Sequence, residues 1–318
     1  MASFSKTNFK ALSYNSFRPH YPPSFYNILT SYVTKDTPSK LPIESAIDLG
    51  CGTGVATYPL LNFSKRVTGL DLSPVMIETA NSLKSERLNQ LGISDENSIS
   101  FKQGAVEDFV NNEPREIEDE SVDLITAAQC IHWFEDFDAF FRNAAKLLKK
   151  GGTLAYFYYV DPVVVGYTGS SKLDRDTTLK RAKEIYFKYA YDDPELLGPH
   201  WEQPGRNIIK DQYSVPNSKV PEDVYEDITI NDFEPDFNGI SRATEKDLDL
   251  KKENISLQGF ADYVLTYSSY HNYKEAKGDK GEVLEQFIKE LESEFGWDRN
   301  ETKIDLVWTT GYTFLRKK

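Results

Sequence analysis

Two cysteines, Cys51 and Cys130, are the only thiols in 318 residues. A disulfide framework is therefore not what stabilises this chain. The four histidines, His20, His132, His200 and His271, are scattered and lack the paired spacing of a zinc site, so no metal is assigned. No apolar run is long enough to span a bilayer. Met1 to Lys10 carries no apolar leader core. Positive charge is also short: 37 Lys and Arg face 50 Asp and Glu, for a net charge of −13. Nucleic-acid binding normally demands a basic surface, so neither a nucleic-acid nor a membrane partner is expected. A small anion held by local cations stays open. These absences leave a cytoplasmic enzyme or binding protein, expected as a monomer. The apolar share of 39%, with 19 Tyr and 19 Phe, is enough for a substantial core, read as one domain over residues 1–318.

What the sequence does hold is the stretch Ala46-Ile47-Asp48-Leu49-Gly50-Cys51-Gly52-Thr53-Gly54. Ile47 and Leu49 fit a strand buried on both faces. Glycines at alternate positions permit a tight turn and let a ligand touch the backbone. The helix that follows offers free N–H groups and a positive dipole end to polar ligand atoms. The stretch reads either as a packing turn in an α/β core or as a nucleotide-type cofactor site.

Strands and helices alternate around it. A helix over 25–33 presents Phe25, Ile28, Leu29 and Tyr32 on one face, with Ser24 as a candidate cap. A short helix spans 55–63, and the second strand, 66–70, ends at Asp71. Ser73-Pro74 then opens a helix with a good cap and a proline at its first position. A third strand, 99–103, leads to Gly104, and an acidic loop spans 111–120. A fourth strand, 122–127, leads to Gln129 and His132. A helix over 137–148 closes at Gly151-Gly152, and a fifth strand runs over 153–159. This alternation predicts an α/β fold with a doubly wound, mostly parallel sheet. The stretch 161–255 breaks the rhythm, with a helix over 180–191. It reads as a cap on the crevice beyond the strands' carboxyl ends, or as solvated decoration. Helices over 260–273 and 283–295 and a final strand, 304–315, fill 256–318, with Gly311 a candidate bulge. The leading segment, 1–42, is aromatic and proline-rich before its helix and ends in a polar linker. It reads as a surface arm or as a lid carrying Arg18 to an anion.

Asp71 lies 23 residues after Asp48, where an acid in a βαβ unit accepts both hydroxyls of a ribose. The glycine spacing is Gly50-x-Gly52-x-Gly54. Val55 stands where the dinucleotide fingerprint G-x-G-x-x-G needs its third glycine. A carboxylate at Asp48, taken to sit at the loop mouth, suits the ammonium and sulfonium of S-adenosylmethionine better than a pyrophosphate.

With these motifs in view, Asp48 to Gly54 followed by Gly69-Leu70-Asp71-Leu72-Ser73 resembles the first two motifs of class I S-adenosylmethionine-dependent methyltransferases. The likeness continues through 104–108, 122–127 and Gly151-Gly152. It implies a Rossmann-like, seven-stranded sheet whose last strand, 304–315, runs antiparallel at that end. It also implies S-adenosylmethionine as cofactor, contacted by Asp48, Gly50, Gly52, Gly54, Asp71 and Leu72. Relatives often carry an acid after the glycine matching Gly104, where it binds the adenine amino group. Here that residue is Ala105, so adenine contact passes to the backbone of Val106 and the side chain of Glu107. Gln129 can touch the methionine part of the cofactor or the substrate.

Arg18-Pro19-His20-Tyr21-Pro22, His132-Trp133-Phe134 and 198–206, with 260–264 and Tyr270-His271, narrow the resemblance. They are similar to the fungal trans-aconitate methyltransferase group and to the related cantharidin-resistance methyltransferases, which act on a dicarboxylate. This implies methyl esterification of a carboxylate on a small polycarboxylic acid. The substrate-binding candidates are Arg18, Tyr21, His132, Trp133, Trp201, Arg206 and Tyr270. Arg18 and Arg206 can pair bidentately with carboxylates. A carboxylate is already ionised at neutral pH, with a pKa near ~4, so no catalytic base is assigned. His132 is a substrate hydrogen-bond donor or a satisfied structural histidine. The rival readings are methylation at carbon, nitrogen or sulfur of another metabolite, with His132 catalytic, and a cofactor-binding protein without turnover.

Overall fold

The strands that place the glycine stretch belong to one eight-stranded sheet. In the computed structural model they are β1 (Ile43–Leu49), β2 (Ser64–Asp71), β3 (Ile99–Gln103), β4 (Val122–Ala128), β5 (Leu148–Tyr167), β6 (Tyr225–Phe233), β7 (Lys251–Ser256) and β8 (Lys303–Lys317). The structure describes residues 16–35, 41–111, 117–236, 243–278 and 282–318. The first fifteen residues of the expected lid, the middle of the polar linker and part of the acidic loop lie outside these. Strand order is β3-β2-β1-β4-β5-β8-β6, with β7 also paired to β8. β1 pairs in parallel with both β2 and β4. Strand order therefore reverses at β1, and a crevice opens at its carboxyl end, where the glycines begin.

Helices cover both faces, as the apolar strands require. They are α1 (Pro23–Thr34), α2 (Thr57–Leu60), α3 (Pro74–Gln90), α4 (Val106–Asn111), α5 (Phe137–Leu147), α6 (Arg175–Phe187), α7 (Gly205–Lys210), α8 (Ser214–Asn217), α9 (Leu257–Leu265), α10 (Ser268–Lys277) and α11 (Val283–Phe295). Ser73 caps α3 as expected: its Oγ accepts from the Met76 N–H at 3.4 Å. Ser24 does not cap α1, which starts at Pro23 with no side-chain cap. One core cluster joins α1 to the sheet, with the Phe25 and Phe157 rings 4.6 Å apart. The other joins α5, through Phe140 and Phe141, to Ile125 and Tyr156.

The expected α/β fold with a mostly parallel sheet is borne out, β1 to β5 pairing in parallel, but the sheet differs at one edge. It has eight strands instead of seven, and β8 is not its outer strand. β8 runs antiparallel to β5, β6 and β7, and β6 flanks it on the outside. Both β6 and β7 come from the stretch read as cap. Their signal was hidden because they are polar and largely exposed: Ile228 and Ile230 of β6 are 43% and 49% exposed. β5 also runs past residue 159, through Asp161, along β8. Gly311 is not a bulge; it pairs in register with Tyr158 and Asp232. A side chain there would stand 2.6 Å from the Tyr158 ring. The helix expected over 260–273 is two, α9 and α10, separated at Thr266-Tyr267. No described helix is long and apolar enough to cross a membrane.

Candidate functional site

β1 hands the chain to three glycines with φ of +60°, +55° and +89°, at Gly50, Gly52 and Gly54. A side chain at Gly50 would meet Cβ of Cys130 at 2.5 Å, and one at Gly54 would meet the Tyr58 ring at 2.6 Å. At Gly52 nothing lies within 4 Å. Packing thus demands the outer glycines, while the middle one faces the open space a ligand needs to reach the backbone.

Asp48 does not sit at the loop mouth. It has no exposed surface, and its two oxygens accept from Thr57 Oγ1 and Thr126 Oγ1, both at 2.6 Å. Burial pushes its carboxyl up to about 6; the two hydroxyls oppose that shift and Asp71 adds to it. The expected opposite-charge contact with the cofactor is therefore replaced by a support beneath the loop.

Asp71 ends β2 and reaches across to the loop. Its Oδ2 accepts from Gly52 N–H at 2.9 Å and its Oδ1 from Ser73 N–H at 2.8 Å. Burial raises its carboxyl, and these two N–H groups pull the other way. Each oxygen keeps lone-pair capacity for a vicinal diol. The next residue, Leu72, is 67% exposed, an apolar side chain set in the open. Gly104 N–H donates to the Asp71 carbonyl at 3.1 Å and brings the following residues alongside. Val106 is buried in the core at 3% exposure, and Glu107 is partly exposed. Free space at Gly52, a diol acceptor and an apolar rim fit a nucleoside-bearing cofactor. Cys51 and Cys130 are buried free thiols beside this loop, and burial pushes both up.

A pocket with ≈ 470 Å³ of empty space, open mouth included, lies beyond β4 and β5. Arg18, His132, Trp133, Trp201 and Arg206 line it, together with Gln129, Glu202 and Ser268. Tyr21 and Tyr270 do not. Tyr21 is buried edge-on against Phe157 at 4.8 Å, and the Tyr270 ring lies 5.9 Å from that of His271. Gln129 adopts φ +56°, uncommon for a non-glycine residue. Its side-chain amide clasps the Tyr159 backbone, Nε2 to O at 2.8 Å and Oε1 to N at 3.1 Å. It borders the pocket chiefly as a brace between β4 and β5.

Both arginines are held in place. Arg18 donates to the Thr266 carbonyl at 3.0 Å and to Tyr159 Oη at 3.4 Å. Its guanidinium lies 5.5 Å from the Tyr263 ring. Arg206 lies over the Trp201 ring at 3.9 Å and donates to Asp161 Oδ1 at 2.7 Å. That oxygen also accepts from Tyr186 Oη at 2.8 Å and Tyr191 Oη at 2.6 Å. Sequence reading missed Asp161 and these tyrosines. The only signal was an aspartate just past the fifth strand, taken for the first residue of the cap. Glu202, also missed, adds a carboxylate to the pocket.

His132 is 7% exposed, with Nδ1 2.9 Å from Tyr213 Oη. Burial, then Arg206 and Arg18, drive its pKa down to about 3, so the imidazole is neutral under physiological conditions. Trp133 is fixed by the start of α7: a Cβ on Gly205 would lie 2.8 Å from its ring.

Residues 47–156 match a family model described as "Methyltransferase domain". Over 317 residues the chain is 26% identical to the Saccharomyces cerevisiae protein named "Probable S-adenosylmethionine-dependent methyltransferase CRG1", covering 99% of this chain and 98% of that one. It is 25% identical over 320 residues to methyltransferase ptaI of Pestalotiopsis fici, covering 92% of this chain and 88% of the relative. A solved structure from Anaeromyxobacter dehalogenans, described as a "Putative Type II Methyltransferase", superposes with a TM-score of 0.60 at 19% identity, covering 94% of this chain and 97% of that one. That likeness speaks to the fold.

Two predictions follow from the loop. Gly50→Ala meets both a left-handed backbone and Cys130, and should lose about 2 kcal/mol or more in urea unfolding. Gly52→Ala meets only the backbone penalty, about 1 kcal/mol, but fills the ligand's space; its cofactor affinity should fall much further than its stability. Equal stability losses, or unimpaired cofactor binding by Gly52→Ala, would contradict this division. The second concerns Asp48, whose carboxyl releases its proton at higher pH in the folded chain than in the unfolded one. Between about pH 4 and about pH 6 the folded state holds the extra proton, so this group's contribution to stability falls as pH rises through that window. The stability of Asp48→Asn relative to wild type should therefore improve from about pH 4 to about pH 7. A gap that does not change with pH would remove the raised carboxyl from the account.

Proposed function

The chain carries a methyltransferase domain of the S-adenosylmethionine-dependent class, and from that premise we propose that it methylates a carboxylate of a small polycarboxylic acid to give a methyl ester. Acids like trans-aconitate are the first candidates. One observation carries the reading: two fixed guanidiniums and a neutral imidazole line the pocket beside the loop. An imidazole with its pKa near 3 is a poor proton acceptor at neutral pH. A carboxylate acceptor needs no base, because it is already ionised.

S-adenosylmethionine, when bound, supplies a methyl group on a positively charged sulfur. The chain's own residues do the placing. Gly52 gives backbone access, Asp71 offers its oxygens to a diol, and Leu72 offers an apolar face. Arg18 and Arg206 hold the carboxylates that do not react, through charge-assisted hydrogen bonds. Trp133 and Trp201 wall the pocket and exclude water, which otherwise blunts a carboxylate nucleophile. Alignment of the acceptor oxygen for in-line displacement then supplies much of the rate. The same reading has the enzyme act as a cytoplasmic monomer on a free small molecule, and the net charge of −13 disfavours a nucleic-acid partner. A second reading, methylation at nitrogen of an amine that first gives up its proton, rests on the Glu202 carboxylate in the same pocket.

Labelled S-adenosylmethionine and a panel of mono-, di- and tricarboxylic acids test the proposal. Label should appear in base-labile esters; base-stable products would favour the nitrogen reading and overturn this one. Arg18→Ala should raise KM for the acid about tenfold while leaving KM for the cofactor within about twofold. An unchanged acid KM would remove Arg18 from substrate binding.

A further inference from the structure

Tyr213 is 1% exposed, so the hydrogen of its hydroxyl must find an acceptor within the protein. Its Oη lies 2.9 Å from Nδ1 of His132, its polar contact among the described residues. Among the described residues no hydrogen bond joins this hydroxyl to the neighbouring tyrosines, whose own hydroxyls point elsewhere. Tyr158, with its ring 4.7 Å away, gives its hydroxyl to Asp232 Oδ1 at 2.8 Å. Tyr156, at 6.1 Å, gives its hydroxyl to Asn217 Oδ1 at 2.6 Å. A phenol donates to Nδ1 only when that nitrogen carries no proton. The opposite arrangement, Nδ1–H toward Oη, leaves the buried phenolic hydrogen without a protein acceptor. An imidazolium fails for the same reason, since both of its nitrogens are donors.

The neutral ring therefore carries its proton on Nε2. That nitrogen has no protein partner among the described residues, and His132 lines the pocket. The backbone under Tyr213 also looks purposeful. Gln212 and Tyr213 take φ of +52° and +58°, two successive left-handed residues between α7 and α8. Such a conformation is costly for non-glycine residues and persists only where the surroundings over-determine it. Here it seats the Tyr213 ring among Tyr156, Tyr158 and His132.

We propose that Tyr213 is a positioning residue that fixes His132 as an Nε2–H donor, committing this point of the pocket to a hydrogen-bond acceptor on the ligand. A carboxylate or carbonyl oxygen satisfies it. An ammonium group facing it would place donor against donor. The nature of the ligand rests on the proposed carboxyl reading, whereas the tautomer does not.

The test uses the full chain labelled with ¹⁵N at histidine. Long-range proton–nitrogen spectra report each tautomer, and His132→Gln assigns the His132 signals by their loss. His132 should show only the Nε2–H tautomer from about pH 5 to about pH 8, where an ordinary histidine titrates. An Nδ1–H signal, a mixture or an imidazolium in that range would overturn the proposal. Tyr213→Phe should release the ring to a mixture of tautomers and raise KM for the acid about fivefold, with kcat and cofactor KM within about twofold. Released tautomers with an unmoved acid KM would refute the positioning role. If Tyr213→Phe fails to fold, the wild-type spectra still decide. If no acid is esterified but the Nε2–H tautomer is seen, the carboxyl reading fails and the assignment of His132 stands.

Discussion

Asp48 joins three segments through two short bonds, to Thr57 at the start of α2 and to Thr126 on β4. A carboxyl with no exposed surface must have its oxygens satisfied inside the protein, and here both are. The bonds fix where the chain leaves β1 and where it re-enters a helix. Between those points the glycines have little freedom left. Gly50 is pressed on Cys130, Gly54 on Tyr58, and Gly52 N–H is turned to Asp71. The glycine-loop half of the candidate site is therefore organised before any ligand arrives, with its polar groups already aimed.

The pocket's two arginines are held by a different device, a chain of tyrosines. The Tyr267 ring lies 5.6 Å from the Arg18 guanidinium, and its hydroxyl meets that of Tyr186 at 2.8 Å. Tyr186 donates to Asp161, which holds Arg206. The two cations are thus set relative to each other through neutral hydroxyls and one carboxylate. Asp161 also offsets part of the pocket's positive charge, as does Glu202. The pocket consequently presents directed N–H donors more than bulk positive potential, which suits a small acid held in one orientation.

Much of this was legible in the residues. The glycine spacing, Asp71 and the Ser73-Pro74 helix start are local features, and local features survive in sequence. Arg18, His132, Trp133, Trp201 and Arg206, read as substrate-binding candidates, come from distant parts of the chain and line one pocket. What was illegible depends on tertiary partners. Asp48 reads as a ligand-facing acid until Thr57 and Thr126 are seen to take its oxygens. Tyr21 reads as a site aromatic until Phe157 is seen against it. β6 and β7 lack an apolar run because they lie outside the buried middle of the sheet. Asp161, Tyr186 and Tyr213 have no motif at all; their roles exist only once β5, α6 and the α7–α8 turn converge.

The central claim is that the methyl group goes to a carboxylate. Transfer from a sulfonium to a carboxylate neutralises both charges and releases no proton. Transfer to a hydroxyl, amine, thiol or carbon acid releases one proton per methyl group. Product formation and acid release can be followed together in a weakly buffered pH-stat near about pH 6.5, below the ordinary range of an α-amino group. The account predicts methyl transfer with essentially no proton release. One proton for each methyl group transferred would contradict it.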